Sequence, residues 1–288
     1  ISFFTGLPTV AKRLLSAKAG LVVLWCLISS CGQEIIAKKE YDYQKADSLP
    51  VDYLRELGNI RVSIEEVAML HEVFLEEKYS YNNGILNSAN KSSGYSNSKV
   101  QALNLGVYGS DLNYVVAFHQ TQDSRNYMEV VIQLAQKLGV GSAFNKELIE
   151  QLTSEDTTID KSMMLTRAFR HAEDNMYSQE RAYLATLMVA GGWIESLYLA
   201  TSMLKSKPHN ANLNSDIFDN VYTYNNVKKM LSVFEKDCKD CQEVLVELET
   251  INAPISELIR SKYSITETQI DNLYKPLTEL RNKVIGKI

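Results

Sequence analysis

Apolar residues along most of this chain recur every three or four positions, the spacing that gathers them on one face of a helix. The pattern predicts a first helix from Ser63 to about Tyr79, opened by a capping box in which Glu66 stands three residues after the N-cap Ser63. A second is predicted over 99–120, with Val100, Leu103, Val107, Tyr114 and Phe118 on its stripe and Asp111 lying among them. Others follow over 124–138, stopped by Gly139 and Gly141, and over 143–152. The next opens at Ser154, Glu155 and Asp156 and carries Leu165, Phe169, Ala172 and Met176.

Residues 181–204 are apolar nearly all round, so this helix is either buried on every side or spans a membrane. Glu195 near its middle and the Gly191-Gly192 pair favour burial. Glycines cost a helix roughly 1 kcal/mol each, and they are tolerated where a neighbouring backbone comes close. Further on, Val227, Leu231, Phe234, Cys238, Cys241, Leu245 and Leu248 alternate four- and three-residue steps. Such a stripe predicts one helix of about 35 residues, which Pro254 would kink or end. A last helix is predicted over 266–284, with a kink at Pro276. The Asn-, Ser- and Gly-rich stretch 82–98 is long for a loop in a compact domain, which marks it as flexible or functional. The fold class is therefore all-α: an antiparallel multi-helix bundle with a central apolar helix and long C-terminal helices, forming a single domain over 51–288.

Composition narrows the partners. The chain is 45% hydrophobic and 23% charged, with a net charge of −5, so it lacks a basic nucleic-acid footprint. Only 13 glycines and 5 prolines occur, fewer turn-formers than a sheet fold wants. The N-terminal region differs from the rest. Lys12, Arg13 and Lys18 precede an apolar run over 19–28, then Ser29, Ser30 and Cys31. A run of about ten apolar residues suits a secretory signal and is too short to span a bilayer. Residues 1–11, ahead of those charges, are set aside from the fold. Small residues directly before a cysteine resemble a bacterial lipobox. That resemblance implies cleavage after Ser30 and acylation of Cys31, a palmitate-type anchor that holds the chain to a membrane. Residues 1–30 then form a signal peptide and 31–50 a polar tether. No Asp directly follows Cys31 and no acidic run comes after it, which leaves the periplasmic face of the outer membrane as the expected address.

Candidate chemistry is sparse. There is no Glu-x-x-His, no second His completing His71-Glu72, no G-x-S-x-G and no phosphate-binding glycine loop. No cofactor is implied. Glu195 on its apolar helix needs a partner, and His119, Arg170, His171, Tyr108 and Tyr114 are available types. Asp111, His119 and Glu195, with Tyr108 and Tyr114, are the expected ligand-binding group if a polar pocket lies between helices. The alternative is a closed network that fixes helix register. Tyrosines at 41, 43, 79, 81, 95, 108 and 114 can line a glycan or peptide groove. Cys238-x-x-Cys241 falls on the apolar stripe, where cysteines act as small core residues; a local disulfide, a redox pair and a metal pair are the other readings.

The stretches 103–114 (LNLGVYGSDLNY) and 191–200 (GGWIESLYLA), together with the Ser-Ser-Cys lipobox, resemble all-helical envelope lipoproteins of the Bacteroidetes type. The resemblance runs loosely over the mature chain and implies an envelope location without an assigned activity. Three functions remain open: a non-enzymatic scaffold or adaptor with an envelope protein partner, a small-molecule, glycan or peptide binder, and an enzyme using the two carboxylates.

Overall fold

The computed structural model describes residues 71–286 except 155, 157, 208–210 and 263, all within a compact unit, Glu40–Ile288. The Ser63 capping box, the tether, Tyr41, Tyr43 and Cys31 lie outside the described residues. The fold is an all-α multi-helix bundle, and no strand occurs among the described residues. The helices are α1 (His71–Glu76), α2 (Ser98–Ala117), α3 (Thr121–Lys137), α4 (Lys146–Leu152), α5 (Lys161–Ser178) and α6 (Ala182–Ser206). They continue as α7 (Ala211–Tyr222), α8 (Tyr224–Ser232), α9 (Lys239–Leu248), α10 (Asn252–Ser261) and α11 (Glu267–Val284). Short 3₁₀ turns at Asn83–Ile85 and Ala89–Gly94 break up the long loop before α2.

The central apolar helix is α6. By length and composition it is the one described helix able to cross a membrane, and 89% of its most apolar 18-residue segment is buried inside the protein. It packs most extensively against α2, which is also enclosed almost all round, from Ala102 to Phe118 apart from Gly109 and Ser110. The glycines explain the intimacy. A Cβ on Gly191 would sit 2.0 Å from the Leu103 carbonyl oxygen, and one on Gly106 would sit 1.9 Å from that of Met188. The two backbones therefore touch directly. Ser110 seals the crossing, donating to the Gly192 carbonyl at 3.0 Å and meeting Ser196 Oγ at 3.1 Å. Contacts advance in step along both helices, from Leu103 with Gly191 to Tyr114 with Met203. Helix α11 runs antiparallel to α6, pairing Arg281 with Glu195 and Asp271 with Lys205.

Four helix ends share one closure. The Gly139 N–H donates to Gln136 O and the Val140 N–H to Ala135 O, a Schellman closure of α3 with Gly139 at φ 71°. Lys78, His119 and Glu180 close α1, α2 and α5 in the same way at φ 55°, 55° and 61°. L-residues rarely take that left-handed conformation, so these stops carry no glycine signal in the sequence. Start signals are clearer: Asn97, Asn145, Asp160 and Thr266 all cap the third residue of their helices. Thr266 forms a full capping box with Gln269. The α5 start thus falls at Asp160 rather than at Ser154.

The C-terminal third departs most from expectation. The single helix of about 35 residues is divided into α8, α9 and α10. A run of turns over 233–238 separates α8 from α9, yet Phe234, Cys238 and Cys241 stay buried because one turn of broken helix advances the stripe by nearly the same step. Pro254 lies in the first turn of α10, where its missing N–H has no helical acceptor to lose. Pro276 is accommodated inside α11, which stays helical through it. Helix α7 has no counterpart among the sequence expectations.

The glycine crossing yields a contrast. Gly191→Ala should destabilise the protein by about 1–3 kcal/mol through backbone overlap. Gly192→Ala, whose Cβ would meet the Gly106 oxygen at an ordinary 3.5 Å, should be neutral or stabilise by up to about 1 kcal/mol. Urea unfolding midpoints of the two variants measure the difference.

Candidate functional site

The α2–α6 crossing brings Asp111 and Glu195 together in the interior, and neither has any solvent-accessible surface. Burying a carboxylate demands a counter-charge or a proton. Arg281 of α11 supplies the counter-charge. Its Nε donates to Glu195 Oε2 at 2.7 Å and its Nη2 to Oε1 at 2.6 Å, a two-pronged ion pair. The guanidinium also lies 4.1 Å over the Tyr198 ring and donates from Nη2 to the Ile85 carbonyl at 3.1 Å. Burial by itself would lower the Arg281 value, but the Glu195 carboxylate more than offsets it and holds the guanidinium above its ordinary value.

One cation thus faces two carboxyl groups. Asp111 Oδ2 accepts the Asn87 backbone N–H at 3.1 Å, while Oδ1 meets no donor although Asp111 is within hydrogen-bond reach of Glu195. Two ionised carboxylates cannot share a hydrogen bond. A proton on Asp111 Oδ1, donated to Glu195, reconciles these facts. Burial and then the neighbouring Glu195 charge both push the Asp111 carboxyl well above the usual range, and Arg281 only partly opposes them. The arrangement is a carboxylic acid, a carboxylate and a guanidinium in series.

Around this core the polar groups hold the loop before α2. Tyr127 donates to the Asn87 carbonyl at 2.7 Å, Asn87 Nδ2 donates to Tyr95 Oη at 3.1 Å, and Tyr108 donates to the Ser88 carbonyl at 2.7 Å. Tyr114 accepts the Asn82 N–H at 3.0 Å and donates to Met203 Sδ at 3.6 Å. Burial, then the bond with Tyr95, raises the Tyr108 hydroxyl far above its normal value. Backbone groups of Asn82, Ile85, Asn87 and Ser88 are therefore held by side chains of α2, α3 and α11, which pack the loop on polar anchors.

The expected ligand group comes together only in part. Asp111 and Glu195 meet, and Tyr108 and Tyr114 flank them through the loop. His119 does not join them. It occupies the left-handed position of the Schellman closure of α2, which turns its side chain out to solvent. The tyrosine groove is also corrected: Tyr79, Tyr95, Tyr108 and Tyr114 are buried, and the Tyr114 ring stacks on Tyr81, meets Phe74 edge-on and lies tilted against Phe118, with centroids 4.7–5.9 Å apart. These rings are core. Sequence reasoning missed Arg281 and Asn87. The signal for Arg281 is present, since it stands four residues after Leu277 on the stripe of Ile270, Leu273, Leu277 and Val284. Asn87, inside a polar loop, has no such signal. The cysteines also move from their expected setting. Cys238 is the N-cap of α9 and not a residue in mid-helix. Among the described residues no group of His, Cys, Asp and Glu is arranged to hold a metal ion.

Two outcomes test this electrostatic account. Arg281→Met leaves a buried charge without its cation and should cost about 3–5 kcal/mol, whereas Arg281→Met with Glu195→Gln should cost less than the single change. Denaturant unfolding of the parent, Arg281→Met, Glu195→Gln and the double variant closes the cycle. The second concerns pH. Because folding raises the Asp111 value, the folded chain binds more protons than the unfolded one above the ordinary carboxylate range. Its contribution is full below about pH 4 and is lost as pH rises toward the folded value. Asp111→Asn mimics the protonated acid, so its melting temperature should fall less than that of the parent as pH rises from 4 to 9. Parallel melting curves would refute the shared proton.

In comparisons with known proteins, the chain matches no family model, no curated protein and no solved structure.

Proposed function

We propose that this protein is a membrane-tethered helical lipoprotein of a bacterial cell envelope that acts as a non-enzymatic scaffold or adaptor. The single observation behind this reading is the complete enclosure of Asp111 and Glu195. Their polar atoms are taken up by Arg281, by each other and by the Asn87 backbone, in the manner of an internal brace. A group meant to bind a ligand or to transfer protons needs a path to its substrate. The brace secures the loop before α2, so the exposed helix faces are left as the working surface. Acylation of Cys31 would place that surface beside a membrane, with the tether over 31–50 setting its reach. On this reading the expected site is the periplasmic face of the outer membrane and the expected partner is another envelope protein.

Cells labelled with a palmitate analogue should incorporate label into the parent protein, and Cys31→Ala should abolish labelling and release the chain from the membrane fraction. Label that persists would overturn the anchor. For the scaffold itself, the folded parent and Glu195→Gln should recover the same cross-linked envelope partners. A ligand from a small-molecule and glycan panel that raises the melting temperature of the parent, but not of Glu195→Gln, would favour a binding pocket in its place.

A further inference from the structure

The break between α8 and α9 gives the Cys238-x-x-Cys241 pair a setting that the stripe of apolar positions conceals. Cys238 is the N-cap of the ten-residue helix α9, with extended backbone at φ −123° and ψ 99°. Its Sγ accepts the backbone N–H of Cys241 at 3.2 Å. Cys241 stands at the third helical position, which brings its thiol beside that of Cys238. A capping box uses these same two positions, N-cap and N3, with a hydroxyl and a carboxamide or carboxylate. Here both are thiols. Cysteines serving only as core need no polar partner, whereas these two face each other at the positive end of a helix.

The pair is asymmetric. The neighbouring Cys241 thiol, with the backbone N–H groups of the first turn, holds the Cys238 thiol below its usual range despite burial. Burial and then the neighbouring Cys238 push the Cys241 thiol the other way. Exposed Glu235, Lys236 and Lys239 surround Cys238, so it lies one layer beneath the surface under a short run of turns. Cys241 is wholly enclosed. Opening of that run reaches Cys238 first. A disulfide here would close a very short loop, which gives little chain-entropy stabilisation and keeps the bond reversible.

We propose that Cys238 and Cys241 are a redox-responsive dithiol that closes to a disulfide by exchange with a low-molecular-weight disulfide, with Cys238 attacking and Cys241 resolving. In the first step the Cys238 thiolate bonds to one sulfur of the external disulfide, whose S–S bond breaks and releases one thiolate. In the second, Cys241 gives up its proton to water and bonds to Cys238 Sγ, expelling the other thiolate. The two released thiolates take up the two protons lost from the cysteines. The protein dithiol is oxidised by two electrons and the external disulfide is reduced to two thiols. The site is independent of the scaffold reading, since it rests on the geometry of α9 alone. The same helix carries Glu243 and Glu247, which pair with Lys99 of α2 and Lys283 of α11 beside a groove of about 430 Å³. The dithiol therefore sits in the first turn of a helix that ties the central and C-terminal helices together.

The test uses the full-length protein, reduced and then incubated folded with oxidised glutathione, quenched in acid and digested with trypsin. Cleavage at Lys239 separates the cysteines, so the disulfide appears as fragment 237–239 linked to fragment 240–260, and this linked species is expected to accumulate. In Cys241→Ala a glutathione adduct should build up on Cys238. In Cys238→Ser, which keeps a capping oxygen, Cys241 should remain unmodified. Far-UV circular dichroism establishes that both variants fold. If either does not, early time points of the parent must show the adduct on Cys238 before the linked fragments appear. Unlinked fragments with both thiols free at equilibrium, or an adduct that forms first on Cys241, would overturn the proposal.

Discussion

Helices α2 and α6 approach until their backbones touch, and the rest of the interior follows from that distance. Gly106 and Gly191 lack the Cβ atoms that would hold the chains apart, and each faces a carbonyl of the other helix. Side chains next to such a crossing have nowhere to go but inward. Asp111 and Glu195 flank it, so both carboxyl groups lose all contact with water. In a low-dielectric interior the pair is tolerable only with a cation and a proton, and Arg281 and Asp111 provide them.

The resulting chain of acid, carboxylate and guanidinium costs desolvation and returns order. Apolar replacements of similar volume often match or exceed the stability of buried ion pairs. Its distinctive effect is to define partners. Arg281 fixes the register of α11 against α6, and its spare N–H reaches Ile85, while Asp111 holds Asn87. A stretch that would otherwise be an irregular loop is thereby locked to three helices, with tyrosine hydroxyls completing its hydrogen bonds. The polar residues in the core and the long loop outside it are one structural device.

Residue patterns made several of these features legible. The apolar helix around Glu195 reads as buried from its lack of a polar face, and Gly191 and Gly192 signal a close neighbour. Asp111 shows itself by falling on an apolar stripe, and the last helix is legible over 266–284. Other features were hidden for identifiable reasons. His119 looks like a partner for Glu195 by residue type, yet it ends α2 in a left-handed conformation usually occupied by glycine. The apolar stripe through Phe234, Cys238 and Cys241 continues in phase across the break before α9, so periodicity could not reveal that Cys238 is a cap. Arg281 reads as a solvent-facing charge unless its place on the α11 stripe is noticed.

The sequence by itself determined the helical class, the buried character of α6, the glycine contact and the need of Glu195 for a partner. These depend on periodicity, residue size and charge, all of them local properties of the chain. Only the tertiary structure decided that the partner is Arg281, that Asp111 shares the site and His119 does not, that the long loop is held from within, and that the two cysteines meet at a helix start. Each depends on which distant segments are adjacent: Glu195 and Arg281 are 86 residues apart in the chain and 2.6 Å apart in space. The energy of burying a charge says that a partner must exist, and chain packing says which residue it is.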